Sequence, residues 1–218
     1  MQDGYRNTAM VTQGDTNNEA LVDQTGNDNE ATVNQTSDGQ FADVDQAGDL
    51  NMANVTQEGG SNEAIVFQEA DSNSATVGQT GTGQLAKVDQ TGNTNTATAT
   101  QADFSSEAYI TQGGNDNRAT VGQSGDDQYA IVNQSGAFNE AGILQSAELN
   151  SASVTQSGDY NFADIDQSGT SNQAFIDQSG AGMVGSLNSA SILQSASMDY
   201  ASITQMNGAG NTATITQQ

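Results

Sequence analysis

The chain has 218 residues, and its 27 Asp and Glu against three Lys and Arg leave a formal net charge of −24. Only 33% of residues are hydrophobic and 5% aromatic, and there is no Pro, Cys, Trp or His, which excludes disulfides, thiolate metal sites and chemistry carried by His or Cys. Nucleic acid and anionic lipid suit so acidic a surface poorly, and no apolar run approaches the ~18 residues of a bilayer span, so no membrane insertion is expected.

Low hydrophobicity with high charge is also the signature of disorder. Disordered chains lack strict residue order, and here the order is strict. Residues 1–6 (Met1 to Arg6) form a short N-terminal segment that does not read as a secretory signal. From Asn7 a seven-residue pattern begins, Asn7-Thr8-Ala9-Met10-Val11-Thr12-Gln13, and it restarts every 11 residues as far as Asn172. Further copies start at 188, 199 and 211, which makes nineteen units.

With Asn7 as position 0, position 2 is Ala and position 6 is Gln in all nineteen units. Position 4 is Val or Ile in every unit but one, where Ala99 stands. Position 0 is Asn in fourteen; Gln40, Gln84, Gln128, Ser106 and Asp199 are the others. Positions 1, 3 and 5 vary. An 11-residue period can also be helical. Fixed residues at every second position instead give the two-residue period of a strand.

The four residues after each strand form the connection, with Gly at position 8 in 11 of 18 cases. Gly with flanking Asn and Asp suits a chain reversal. Two units, 22 residues, then make one rung of a flattened coil: an all-β, cross-β solenoid of two strands per rung and about 9.5 rungs over residues 7–218. A longer loop is expected at 179–187.

In such a rung position 2 faces position 4, so Ala meets Val or Ile throughout, and position 0 faces position 6. Inward Asn and Gln need partners, which stacking supplies if each amide bonds to its copy above and below. Representative columns run through Asn7, Ala9, Val11 and Gln13; Asn29, Ala31, Val33 and Gln35; Asn172, Ala174, Ile176 and Gln178; and Asn211, Ala213, Ile215 and Gln217. Asp199 should weaken its column unless it lies at an edge.

Strands starting at 18, 40, 62 and onward carry Phe41, Phe67, Tyr109, Tyr129, Phe175 and Tyr200 outward, whereas the alternate strands carry only Phe162. These are either scattered strand-formers on a solvated face or a surface for lateral bundling or adhesion. Outward carboxylates such as Asp43 with Asp45, and Asp164 with Asp166, should oppose premature assembly by repulsion, and could hold cations. No atypical capping repeat is present. The pattern therefore predicts a structural polymer subunit whose partner is itself, joined head to tail with successive copies half a turn apart, and neither an enzyme nor a cofactor protein. An ice-binding solenoid is the rival reading, on the arrays Thr96/Thr98/Thr100 and Thr212/Thr214/Thr216, but neighbouring rungs do not sustain those arrays.

The unit Asn-x-Ala-x-Val/Ile-x-Gln followed by x-Gly resembles the repeat of curlin, the subunit family of bacterial curli fibres. Asn29 to Gln35 and Asn172 to Gln178 carry the resemblance well, and it extends over residues 7–217. It implies an extracellular functional amyloid of the biofilm matrix, attached to the cell surface. It further implies export unfolded through a dedicated outer-membrane system, with curli-type secretion and nucleation machinery as partners. Major fibre subunit and minor nucleator or adhesin are both open to such a chain.

Overall fold

The computed structural model describes residues 1–206 and 208–218. Their regular structure is all strand, β1 to β20, in two ten-stranded parallel sheets. β1 (Gln2–Asp3), β3 (Glu19–Thr25) and the further odd strands to β19 (Tyr200–Gln205) form sheet I; β2 (Thr8–Gln13), β4 (Glu30–Thr36) and the further even strands to β20 (Thr212–Gln217) form sheet II. The chain crosses from one sheet to the other after every strand, so neighbours within a sheet are two units apart in sequence. The register is residue to residue at 22, as in Ala31↔Ala53 and Val33↔Val55.

Alternation along each strand decides which side chains meet. Phe41–Ala47, for example, buries Ala42, Val44 and Gln46 and leaves Phe41, Asp43 and Asp45 on the outside. One continuous apolar core of Ala, Val and Ile runs the length of the coil from Ala31 to Ile203, with Ala20, Val22, Ala213 and Ile215 packed against its ends. Because the chain reverses between sheets, the small position 2 lies over the large position 4. Sheet spacing stays constant and the interior stays filled. Ala is a poor strand former, and it is kept for its size.

β1 extends the expected coil. Its Gln2 pairs with Gln24 and its Asp3 with Thr25, so Gln2 occupies position 6 of a further strand and residues 4–6 make its turn. The nineteen full units are thus joined by part of a twentieth strand, and the solenoid has about ten turns.

The turns hold the larger surprise. The residue just before position 0 is left-handed almost everywhere, and it is mostly not Gly: Asp28 (φ 57°), Leu50 (62°), Thr94 (60°), Phe138 (58°) and Tyr160 (53°). An isolated residue loses roughly 1–2 kcal/mol in that region. Here the turn backbones stack as the strands do, with Leu50 N–H donating to Asn27 O and Ser72 N–H to Asp49 O, and the stack enforces the geometry. Gly at position 8 meets a different demand. A Cβ on Gly48 would lie 2.2 Å from Ala70 O one rung on, and Gly48 itself has φ of 102°. Side chains at position 9 add a further column: Asp49 Oδ1 accepts from Asn27 N–H at 2.7 Å, and Asp71 Oδ1 from Asp49 N–H at 2.9 Å.

The loop expected at 179–187 is present between β17 (Gln173–Gln178) and β18 (Asn188–Gln194). Its tip closes by a Met183–Ser186 bridge, and Gly182 N–H bonds Asp159 O of the turn below. The five extra residues leave the stack unbroken, since Gln167 simply meets Gln194 at a separation of 27 instead of 22.

Ala99 is fully buried where every other rung presents Val or Ile. Ala99→Val should therefore raise unfolding stability by about 1 kcal/mol, while Ala97→Val at position 2 of the same strand should lower it by about 1–3 kcal/mol through overpacking. Urea unfolding midpoints of the two variants check both signs.

Candidate functional site: the amide columns and the outer faces

Two inward polar columns flank the apolar core, and they are built differently. The glutamines form continuous side-chain ladders. In sheet I these run from Gln2 through Gln24 and Gln46 to Gln178 and Gln205, and in sheet II from Gln13 through Gln35 and Gln57 to Gln194 and Gln217. Each Nε2 donates to the next Oε1 at 2.7–3.0 Å. From Gln24 onward the second proton of each ladder amide crosses the core, as when Gln35 Nε2 donates to Glu19 O of the facing sheet at 3.0 Å. These glutamines thus bind one rung to the next and one sheet to the other.

The asparagines do not bond chiefly to their own copies, contrary to the expectation from stacking alone. Asn29 Nδ2 donates to Thr25 O at 3.1 Å and to Gly48 O at 2.8 Å, while its Oδ1 accepts the backbone N–H of Asn51 at 2.9 Å. Asn51 repeats this with Ala47 O, Ala70 O and Asn73 N–H. Side-chain contacts between asparagines occur where Asn161 donates to Asn139 and Asn188 to Asn161. The reason is reach. Position 0 adjoins the turn, whose carbonyls point inward, and its own N–H lies outside the strand ladder. A short amide satisfies all three groups and so clips turn to turn.

Length matters at this column. Gln40 Nε2 still finds Thr36 O and Gly59 O at 2.6 and 2.7 Å, and Gln84 finds Thr80 O and Asp103 O. The extra methylene carries the oxygen past the next N–H, and Oε1 of Gln40, Gln84 and Gln128 is buried without a partner. Ser106 manages with its hydroxyl, which donates to Gly125 O and accepts from Gln128 N–H. Every departure from Asn at position 0 falls in sheet I; sheet II has Asn throughout. Asp199 keeps a bond from its N–H to Asn172 Oδ1 but leaves Oδ2 buried and unpartnered. It lies beside β19, the outermost strand of sheet I, where its column has no further rung to hold.

The outer faces differ in charge. On positions 1, 3 and 5, sheet I bears eight carboxylates and Lys87, against four carboxylates and Arg118 on sheet II. The expected aromatics lie on sheet I, where Tyr109 tilts against Tyr129 with centroids 5.8 Å apart and Phe175 against Tyr200 at 5.7 Å. Burial, with help from the Glu107 carboxylate that its hydroxyl donates to at 3.0 Å, pushes the Tyr109 phenol up to about 12. On the same face Asp23 and Asp45 are register partners beside Asp43. Burial first, then Asp23, Asp43 and Glu69, raise the Asp45 carboxyl above its ordinary value; burial and then Asp166 do the same for Asp164 on sheet II. Asp38, in a turn, is shifted down by hydrogen bonds from Thr16.

Two tests follow from these columns and faces. Gln40→Asn, Gln84→Asn and Gln128→Asn should each add about 1 kcal/mol by restoring the missing acceptor, and Asn62→Gln should remove as much; denaturant midpoints of the single variants read this directly. A carboxyl raised in the folded state stabilises the fold below its unfolded pKa, and that contribution is lost as pH rises through the folded value. The melting temperature should therefore climb as pH falls from 7 toward about 4, and Asp45→Asn with Asp164→Asn should flatten that climb. Asp38 works in the opposite sense, so Asp38→Asn should steepen it.

Comparison with known proteins agrees with this architecture. The chain matches the curlin associated repeat in seven segments, residues 26–59, 48–81, 71–102, 85–125, 125–158, 158–182 and 185–218. No curated protein gives a significant match. The first two units, outside those segments, bond in the same way, Gln13 to Gln35 and Gln24 to Gln46. With the repeat matched over most of its length, the chain belongs to the curlin family, and its solenoid is a curli-type structural subunit.

Proposed function

We propose that the chain builds an extracellular fibre by stacking head to tail, copy on copy, as a component of a biofilm matrix with a role in adhesion. The observation that carries this reading is the polarity of the glutamine ladders. Every Nε2 points toward the higher-numbered rung and every Oε1 toward the lower, while the strand and turn ladders repeat at the same step. In these ladders a rung presents amide donors on one side and matching amide acceptors on the other. A second copy laid on in the same direction continues both ladders, as an open sheet edge invites. Such a copy sets β1 on β19 and β2 on β20, like sheet on like sheet. The half turn expected from nineteen units is therefore not part of this reading.

The carboxylates that crowd both faces oppose this association until they are screened or bound by cations. Delivery in the unfolded state by a secretion apparatus, and a templating partner at the cell surface, fit a chain whose folding and polymerisation use the same hydrogen bonds. A major fibre subunit suits the regular core better than a nucleator does.

Incubation of the purified chain should give unbranched fibres with a meridional reflection near ~4.8 Å, and the lag should shorten with added salt or divalent cation. A chain that stays monomeric, or shows thermal hysteresis in ice, would overturn the reading.

A further inference from the structure

We infer that the outer face of sheet II is an interface with a second copy of this chain, the two solenoids lying side by side and antiparallel about a two-fold axis that runs along the strand containing Gly122. The starting observation is a groove of about 320 Å³ on this face, lined by Gly78, Thr100, Gly122 and Leu144 with Ala102 and Ser124 at its rim. It exists because Gly78 and Gly122, at position 5, give no side chain on either side of Thr100. Two rungs from Thr100 in the same column stands Leu144, 52% exposed. A hole and a knob in one column, symmetric about Gly122, are the signature of an isologous contact.

The rest of the face obeys the same symmetry. With Gly122 opposite Gly122, Leu144 faces Thr100 and Phe162 faces Ser74. Further out Leu193 faces Thr56 and Met52 faces Ser189. Each bulky side chain meets a small one. Charges obey it too: Glu30, Glu140, Asp164 and Asp166 meet Thr212, Thr96, Thr76 and Gly78, so no carboxylate opposes another. Arg118 lies on the axis, opposite its own copy, yet Glu140 is its register partner one rung up and the second copy's Glu140 is the equivalent neighbour one rung down. The four side chains balance.

Moving the axis half a rung, between the strands of Thr100 and Gly122, would set Met52 against Phe162. Sheet I, with eight carboxylates and one Lys on its outer face, offers no such pairing despite its aromatics. Nine facing strands of about seven residues cover roughly 850 Å² per partner, the size of a standard stable interface.

The inference is separate from end-on growth, because copies of one residue along a fibre of this chain lie about 48 Å apart. The chain has no Cys, so single thiols report cleanly. Thr120 is an exposed residue on the strand of Gly122. Thr120→Cys in the full chain, treated with a bis-maleimide spanning ~10 Å, should give a covalent dimer, since face-to-face sheets pack at about that distance. Thr98→Cys mixed with Gly142→Cys should also cross-link, and neither should alone. Adding Leu144→Glu to Thr120→Cys should cut dimer yield about tenfold. Equal yield from Thr120→Cys and from Thr111→Cys on sheet I, or efficient linking of Thr98→Cys by itself, would overturn the two-fold. Circular dichroism of each variant before labelling confirms that the solenoid is intact.

Discussion

A buried amide must find partners or the chain cannot bury it. In this protein one residue type meets that requirement along the whole molecule: at position 6 each Gln side chain bonds the Gln standing one rung away. The residue-to-residue register follows, at a separation of 22 except where a longer turn intervenes, and so does the absence of slippage across ten strands per sheet. The alternation of small Ala with large Val or Ile already disfavours sliding by two residues, since a slip would set large against large. The glutamine columns forbid it, and they are what makes the stack unique.

The columns also set what the turns can be. Once rungs are fixed at one strand spacing, turn backbones must stack as closely as strands do. That is why Gly48 meets Ala70 O and why Leu50 and Phe138 hold left-handed conformations usually left to Gly. The conformational cost falls on residues whose neighbours above and below share it. Asparagine at position 0 then ties the corner, bonding two turn carbonyls and the N–H of the next position 0.

Much of this was legible in the sequence. Period two within period 11 gives strand, rung and coil, and fixed Ala opposite Val or Ile gives the core. Three things were not legible. Asn and Gln look alike as ladder residues, and only the position of the turn carbonyls shows that Asn29 bonds to backbone while Gln35 bonds to Gln57. The left-handed position carries Asp, Ser, Leu, Phe, Tyr and Thr, so no residue preference marks it; geometry imposed by the stack overrides local propensity. Gln2 and Asp3 join a strand too short to show a pattern. The outward aromatics fall on sheet I as the spacing places them, together with eight carboxylates at the same three positions.

The interval of 22 has a consequence for how such a protein can change length. Every inward contact depends on residues one rung away, so deleting or duplicating a whole rung leaves each surviving junction like those already present. A gain or loss of 11 residues would keep the core equally well formed yet exchange the two faces for everything downstream, moving Phe175 and Tyr200 to the side of Leu144. Lineages of this chain are therefore free to drift in length by even numbers of units. An odd step would rewrite half the surface in a single event.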